Sequence, residues 1–130
     1  MQKEKETECL LRVCCQALSD KKAEEIKVLK MGELSSLADY FIIASGKSNP
    51  HLKAIHREID SALKEIGSSV YGKERFKPSG WIVVDVIDVV VHIFSPEARS
   101  FYALESLWKD AENLDPYQII QTETNVLSNT

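Results

Sequence analysis

At 130 residues, 44% hydrophobic and 28% charged, the chain has the size and composition of one soluble globular domain whose core needs no staples. Its net charge of −4 argues against a broad face for wrapping nucleic acid and suits a basic protein partner. Cys9, Cys14 and Cys15 give no disulfide framework or metal-type pair. No apolar leader opens the chain, and no run nears the roughly 18 apolar residues of a membrane span, so a reducing, cytoplasmic setting is expected.

Residues 4–19 predict a helix, with Leu10, Leu11, Cys14, Ala17 and Leu18 on one stripe at helical spacing. Cys14 then reads as a small buried hydrophobe. After a polar break, residues 25–31 alternate, Ile26 and Val28 opposing Lys27 and Leu29, as a strand with one wetter face does. Residues 32–38 read as a loop. Residues 39–45 are apolar on both faces, which predicts an interior strand. Asn49 as cap and Pro50 in the first turn open a helix running to about Ile66. Leu52, Ile55, Ile59, Ala62, Leu63 and Ile66 point inward, and Gly67 ends it.

Residues 69–72 suit a short strand, and residues 73–80 a basic loop leading to Trp81. Ser95-Pro96 opens another helix, with Phe101, Leu104, Glu105 and Trp108 along one side. Residues 114–120 are expected to pack back on the domain, and the polar end of the chain to fray. The alternation predicts an α/β (α+β) single domain: a mixed sheet of about five strands with three main helices.

Residues 81–94 organise the rest. Their β-branched run disfavours helix, and Asp85 and Asp88 interrupt it, which predicts an antiparallel hairpin. A turn at Val86-Ile87 pairs Asp85 with Asp88 and Trp81 with His92. Alternation then puts Ile82, Val84, Val89, Val91 and Ile93 on a core face. Trp81, Val83, Asp85, Asp88, Val90 and His92 share a half-polar face suited to recognition.

Other chemical signals are weaker. Gly46-Lys47-Ser48 lacks the earlier glycine of a phosphate loop, since Phe41 sits five positions before Gly46. His51 and His56 stand roughly 140° apart on a helix and cannot share one ion. Asp85 and Asp88, if paired, could hold a divalent cation for phosphoryl or nucleotidyl transfer. The Gly-Ser loop and Asp-x-Asp pair of such enzymes are missing. Lys73, Arg75 and Lys77 with Phe76 make a weak nucleic-acid signal, better suited to the fringe of a protein contact. Tyr40, Trp81, Tyr102 and Trp108 either complete the core or anchor an interface.

Three segments taken together carry a family likeness. They are Asp39-Tyr40-Phe41-Ile42-Ile43-Ala44-Ser45-Gly46 with Ser48, His51 and Ala54-Ile55; Gly80 to Asp85 with Asp88 to Phe94; and Arg99, Phe101-Tyr102, Leu104-Glu105, Leu107-Trp108 and Asp110-Ala111. In order and spacing they resemble the Iojap family, the ribosomal silencing factors. The resemblance implies a domain over residues 1–113, related in fold to nucleotidyltransferases without their catalytic residues, and a C-terminal extension over 114–130. It implies a homodimer that binds the large ribosomal subunit through its fourteenth protein, hinders joining of the small subunit and represses translation under nutrient limitation. A role in assembling the large subunit is the alternative. No catalytic residue, metal or other cofactor is implied. The matching positions, expected to include the partner-binding residues, are Ser45, Gly46, Ser48, His51, Trp81, Asp85, Asp88, His92, Tyr102, Glu105 and Trp108. Ile87 stands where the family usually has glycine, which predicts a wider turn, and Tyr71 stands where relatives carry an acid.

Overall fold

The two long apolar stripes fold as helices α1 (Gln2–Asp20) and α2 (Asn49–Glu65). The structure, a computed structural model, describes residues 2–36, 38–68, 71–77, 80–86 and 88–121, with backbone alone for 2–4 and 71–77. Its strands are β1 (Glu24–Lys30), β2 (Tyr40–Ser45), β3 (Tyr71–Lys77), β4 (Trp81–Val86), β5 (Val89–Phe94) and β6 (Glu112–Leu114). They form one mixed sheet in the order β3-β4-β5-β2-β1-β6. β2 and β5 run parallel, and every other neighbouring pair among the described residues is antiparallel. This is the α/β domain expected, with β6 as an added strand on the outer edge of β1.

The two sheet faces are covered differently. Leu11, Cys14 and Leu18 of α1, with Leu52, Ile55, Ile59 and Leu63 of α2, pack on Val28, Ile42, Val84, Val89, Val91 and Ile93. Burial pushes the Cys14 thiol up strongly and Cys15 up to about 12, so neither supplies a thiolate near neutral pH. The opposite face carries Leu29, Phe41, Ile43 and Phe94 under Ala98 and Ala111. Leu29 is therefore buried, so the wetter face of β1 meets water at Glu25 and Lys27 but not at Leu29. Leu114, Ile119 and Ile120 pack against the helical side, as expected for the segment after residue 113.

The hairpin pairs one residue later than expected. Val86 faces Val89, Asp85 faces Val90, Val83 faces His92 and Trp81 faces Phe94. The loop is thus two residues long, not wider; Ile87 itself lies outside the described residues. Moving a turn by one residue moves each partner by two, so the sorting of faces survives. The facing of Asp85 with Asp88 does not. Asp88 sits in the loop, and its carbonyl accepts from the amides of Asp39 and Tyr40, fixing where β2 begins.

Three boundaries also differ. Residues 73–77 of the expected loop are strand, continuing β3 along β4. Lys-Glu-Arg-Phe-Lys alternates, and a charged edge strand is a common guard against unwanted pairing. Ser69, Val70, Pro78 and Ser79 of those two segments, and residues 122–130 of the expected frayed end, lie outside the described residues. The cap of α2 is Ser48, whose hydroxyl accepts from the His51 amide at 3.3 Å, rather than Asn49. Ile66 falls past the last helical turn and is 44% exposed, not inward.

The last helix is broken. α3 spans Pro96–Tyr102 and α4 spans Leu104–Leu107, with Ala103 between them at φ 46°. A side chain in that left-handed region costs roughly 1–2 kcal/mol, so neighbouring contacts must hold it there. The break turns Phe101 out to 81% exposure, while Tyr102, Leu104 and Trp108 pack on the sheet.

Candidate functional site

The candidate residues divide into three groups, each placed by a different element. Ser45, Gly46, Ser48 and His51 gather at the C-terminal end of β2. Gly46 is needed for close approach: a Cβ there would lie 2.8 Å from the Leu52 side chain. His51 Nδ1 accepts from the Lys47 amide at 2.9 Å, which leaves the ring proton on Nε2 to donate to the Lys21 carbonyl at 2.7 Å. This ring ties the start of α2 to the turn after α1. His51 and His56 do not share a site, as their spacing required.

The second group is aromatic. Trp81, His92 and Phe94 project from β4 and β5, and Tyr102 and Trp108 come down from the broken helix. Trp81 stacks on Phe94 at 5.1 Å between ring centres and leans on Tyr102 at 4.7 Å. Phe41 meets His92 edge-on at 5.0 Å and Trp108 at 6.0 Å. Trp81 and His92 are diagonal neighbours rather than a facing pair, and the indole N–H donates to His92 Nδ1 at 3.2 Å. Desolvation pushes the His92 pKa down to about 4, so the ring is neutral. Its Nε2 then carries the proton, buried and without a hydrogen-bond partner among the described residues. The layer runs out to Phe101, which stands edge-on to Tyr102 at 5.1 Å. Toward the hairpin end, Val83 and Val90 are half-buried and Asp85 is exposed.

The third group centres on Arg99, which is 7% exposed. Its Nε donates to Glu105 at 2.8 Å, and Nη1 donates to Ser45 Oγ at 2.9 Å and to the Glu24 carbonyl at 3.4 Å. The other Glu105 oxygen meets Lys27 Nζ at 3.3 Å. The hydrogen bond from Arg99 leads the causes that hold the Glu105 carboxyl below its usual range. Glu105→Gln keeps the side-chain length but loses the charge facing a buried guanidinium. It is expected to lower the unfolding free energy by about 1–2 kcal/mol in urea titrations at pH 7. The difference from the parent should shrink as pH falls through the depressed carboxyl pKa, because the parent loses the same charge there.

The geometry therefore brings Trp81, His92, Tyr102 and Trp108 together, joins Glu105 to Ser45 through Arg99, and leaves Asp85 and Asp88 at the hairpin end without pairing them across the two strands. Opposite Val90, Asp85 has no facing carboxylate with which to chelate a cation, which removes the pairing on which a transferase reading stood. Among the described residues, no group of three His, Cys, Asp or Glu is placed to hold a metal ion, and no helix is long and apolar enough to cross a membrane. Neither Phe41 nor Arg99 was among the candidate site residues: Arg99 entered only with the family likeness, and Phe41 also as the residue that breaks the phosphate-loop spacing. Phe41 looked like any interior strand residue, and Arg99 meets Glu105 across a helix break that no periodicity announces.

Residues 3–129 match the family described as Ribosomal silencing factor during starvation. The Ribosomal silencing factor RsfS of Bacillus subtilis is 43% identical over 106 residues, 82% of this chain and 90% of that protein. The Mus musculus protein named Mitochondrial assembly of ribosomal large subunit protein 1 is 34% identical over 94 residues, 70% of this chain and 41% of its own length. A crystal structure of a Chromobacterium violaceum protein superposes with a TM-score of 0.73 at 36% identity, covering 77% of this chain and 83% of the other.

Proposed function

Because the chain belongs to the ribosomal silencing factor family, we propose that it is a binding factor rather than an enzyme. It docks as a homodimer on the large ribosomal subunit, against that subunit's fourteenth protein, in a cytoplasmic setting. There its bulk hinders joining of the small subunit and represses translation when nutrients are short. The observation that carries the surface is the aromatic layer with an open rim. Trp81 and Tyr102 are half-buried anchors between exposed Phe101 on one side and exposed Asp85 on the other. Aromatic anchors beside acids suit a basic protein, and the net charge of −4 agrees with such a partner. Asp88 belongs to the same end of the hairpin.

The test is sedimentation with separated ribosomal subunits. Added protein should travel with the large subunit and reduce the fraction that associates with the small one. Asp85→Arg places a like charge against a basic partner without disturbing the core. It should weaken co-sedimentation about tenfold or more while leaving the thermal midpoint unchanged. Normal co-sedimentation of that folded variant would remove the hairpin end from the surface. The name of the mouse relative favours a second reading, a part in building the large subunit. Accumulation of large-subunit precursors on deletion, with subunit joining unaffected, would select it.

A further inference from the structure

Nothing in the sequence between Ser95 and Trp108 stops a helix. Residues 97–108 hold no glycine or proline, and Ala103, where the break falls, is the best of helix formers. Yet Ala103 stands at φ 46°, a region that residues with a Cβ avoid, and the break leaves Phe101 and Leu107 facing water. A conformation held against local preference needs contacts that exist only in it.

Arg99 and Glu105 supply them. They lie six positions apart, one on each side of Ala103, and Arg99 Nε donates to Glu105 at 2.8 Å. On an unbroken helix they would stand roughly 120° apart around the axis and about 9 Å apart along it, whereas helical neighbours are three or four positions apart. The bond is therefore made in the broken form and lost in the straight one. Both partners are also tied to the sheet. Arg99 Nη1 donates to Ser45 of β2 at 2.9 Å and to the Glu24 carbonyl of β1 at 3.4 Å, and Glu105 meets Lys27 of β1 at 3.3 Å.

Leu104 and Trp108 pack on the sheet and favour the same break. Apolar contact is non-directional, however, whereas the charged hydrogen bonds of a guanidinium fix an angle. The angle of α3 decides where Phe101 points, two residues beyond Arg99. Tyr102 is held by Trp81 and Phe94, but the one ring that Phe101 meets among the described residues is Tyr102.

We propose that Arg99 and Glu105 are positioning residues for the docking surface: their bond across Ala103 selects the broken helix and so fixes Phe101 on the rim beside Tyr102. This rests on the docking reading for its consequence. It adds that Glu105 acts on the partner through the path of the chain rather than by touching it.

The test uses the full chain and large ribosomal subunits. Glu105→Ala removes the acceptor and should weaken co-sedimentation about tenfold. In the same variant the Ala103 carbon-13 shifts should leave the left-handed range, and the nuclear Overhauser contacts between the Phe101 and Tyr102 rings should fade. Adding Ala103→Gly frees the left-handed turn of its steric cost and should bring co-sedimentation back to within about threefold of the parent. Lys22, exposed at φ 58° on the turn after α1, is the control. Lys22→Gly relieves a like strain and should raise the thermal midpoint comparably, yet leave Glu105→Ala docking weak. The proposal is overturned if Glu105→Ala leaves the Ala103 shifts and the ring contacts as in the parent. It is equally overturned if Ala103→Gly fails to restore docking, since Glu105 would then touch the partner itself, or if Lys22→Gly restores it as well. A parent chain that does not travel with the large subunit overturns the docking reading, and the carbon-13 shifts still decide whether the pair selects the break.

Discussion

Replacing Trp81 with alanine is expected to lower the unfolding free energy by about 3 kcal/mol, the lower end of the range for removing a large aromatic from a packed site. The indole covers Phe94, leans on Tyr102 and supplies the hydrogen bond that His92 Nδ1 accepts. Truncation opens a gap beneath α3 and strands a buried acceptor at once. Being half-buried, Trp81 gains less from burial than a fully enclosed ring, which keeps the figure at the low end. Trp108 remains as the second tryptophan, so urea unfolding can still be followed by fluorescence. Trp81→Phe should recover the stacking but not the hydrogen bond, and so fall between the two. A loss below about 1 kcal/mol for the alanine variant would mean that the layer is not packed as described. It follows that Trp81→Ala cannot by itself report on docking, since a partly unfolded factor also fails to bind. Asp85, exposed at the hairpin end, is the cleaner probe of the proposed surface.

The same residue shows how far the sequence could be read. Alternation along residues 81–94 separated a core face from a second face correctly, because the two-residue period of a strand does not depend on where the turn is placed. The register does depend on it, and no glycine or asparagine marked the turn, so every partner was displaced by two. What alternation cannot say is whether a second face meets water or another layer. His92 was placed on the recognition face and is buried, because Ala103 enters the left-handed region and the chain folds back over that face. A left-handed alanine has no sequence signature. The helical stripes, being long and periodic, were legible, down to the buried Leu52, Ile55, Ile59 and Leu63. Strand β6 was not, since its three residues bury little and are specified by pairing with β1. Arg99 marks the same limit: its acceptors come from β1, β2 and α4, and long-range convergence is invisible to local pattern.

Acidification is expected to destabilise the domain through His92 before the depressed Glu105 carboxyl begins to protonate. Among the aromatic rings the imidazole is neutral, with a pKa pushed down to about 4 by desolvation. A charge there would be unsolvated, and a proton on Nδ1 would face the Trp81 N–H that it now accepts. In the unfolded chain the ring titrates near 6.5. Between those two values the unfolded state binds a proton that the folded state refuses, so the free energy of unfolding falls as pH falls. The contribution is level above about pH 6.5, declines below it and approaches ~3 kcal/mol of lost stability near pH 4. His92→Gln offers a neutral acceptor to the indole and cannot take up the proton. It should be less stable than the parent at pH 7 and lose less on going to pH 4.5, so the gap narrows. His51 and His56 are common to both proteins and cancel in the comparison. A gap of equal size at the two pH values would show that His92 is protonated as readily in the folded chain as in the unfolded one. The layer would then be open to water, and the face offered to a partner would be charged at mildly acidic pH instead of neutral.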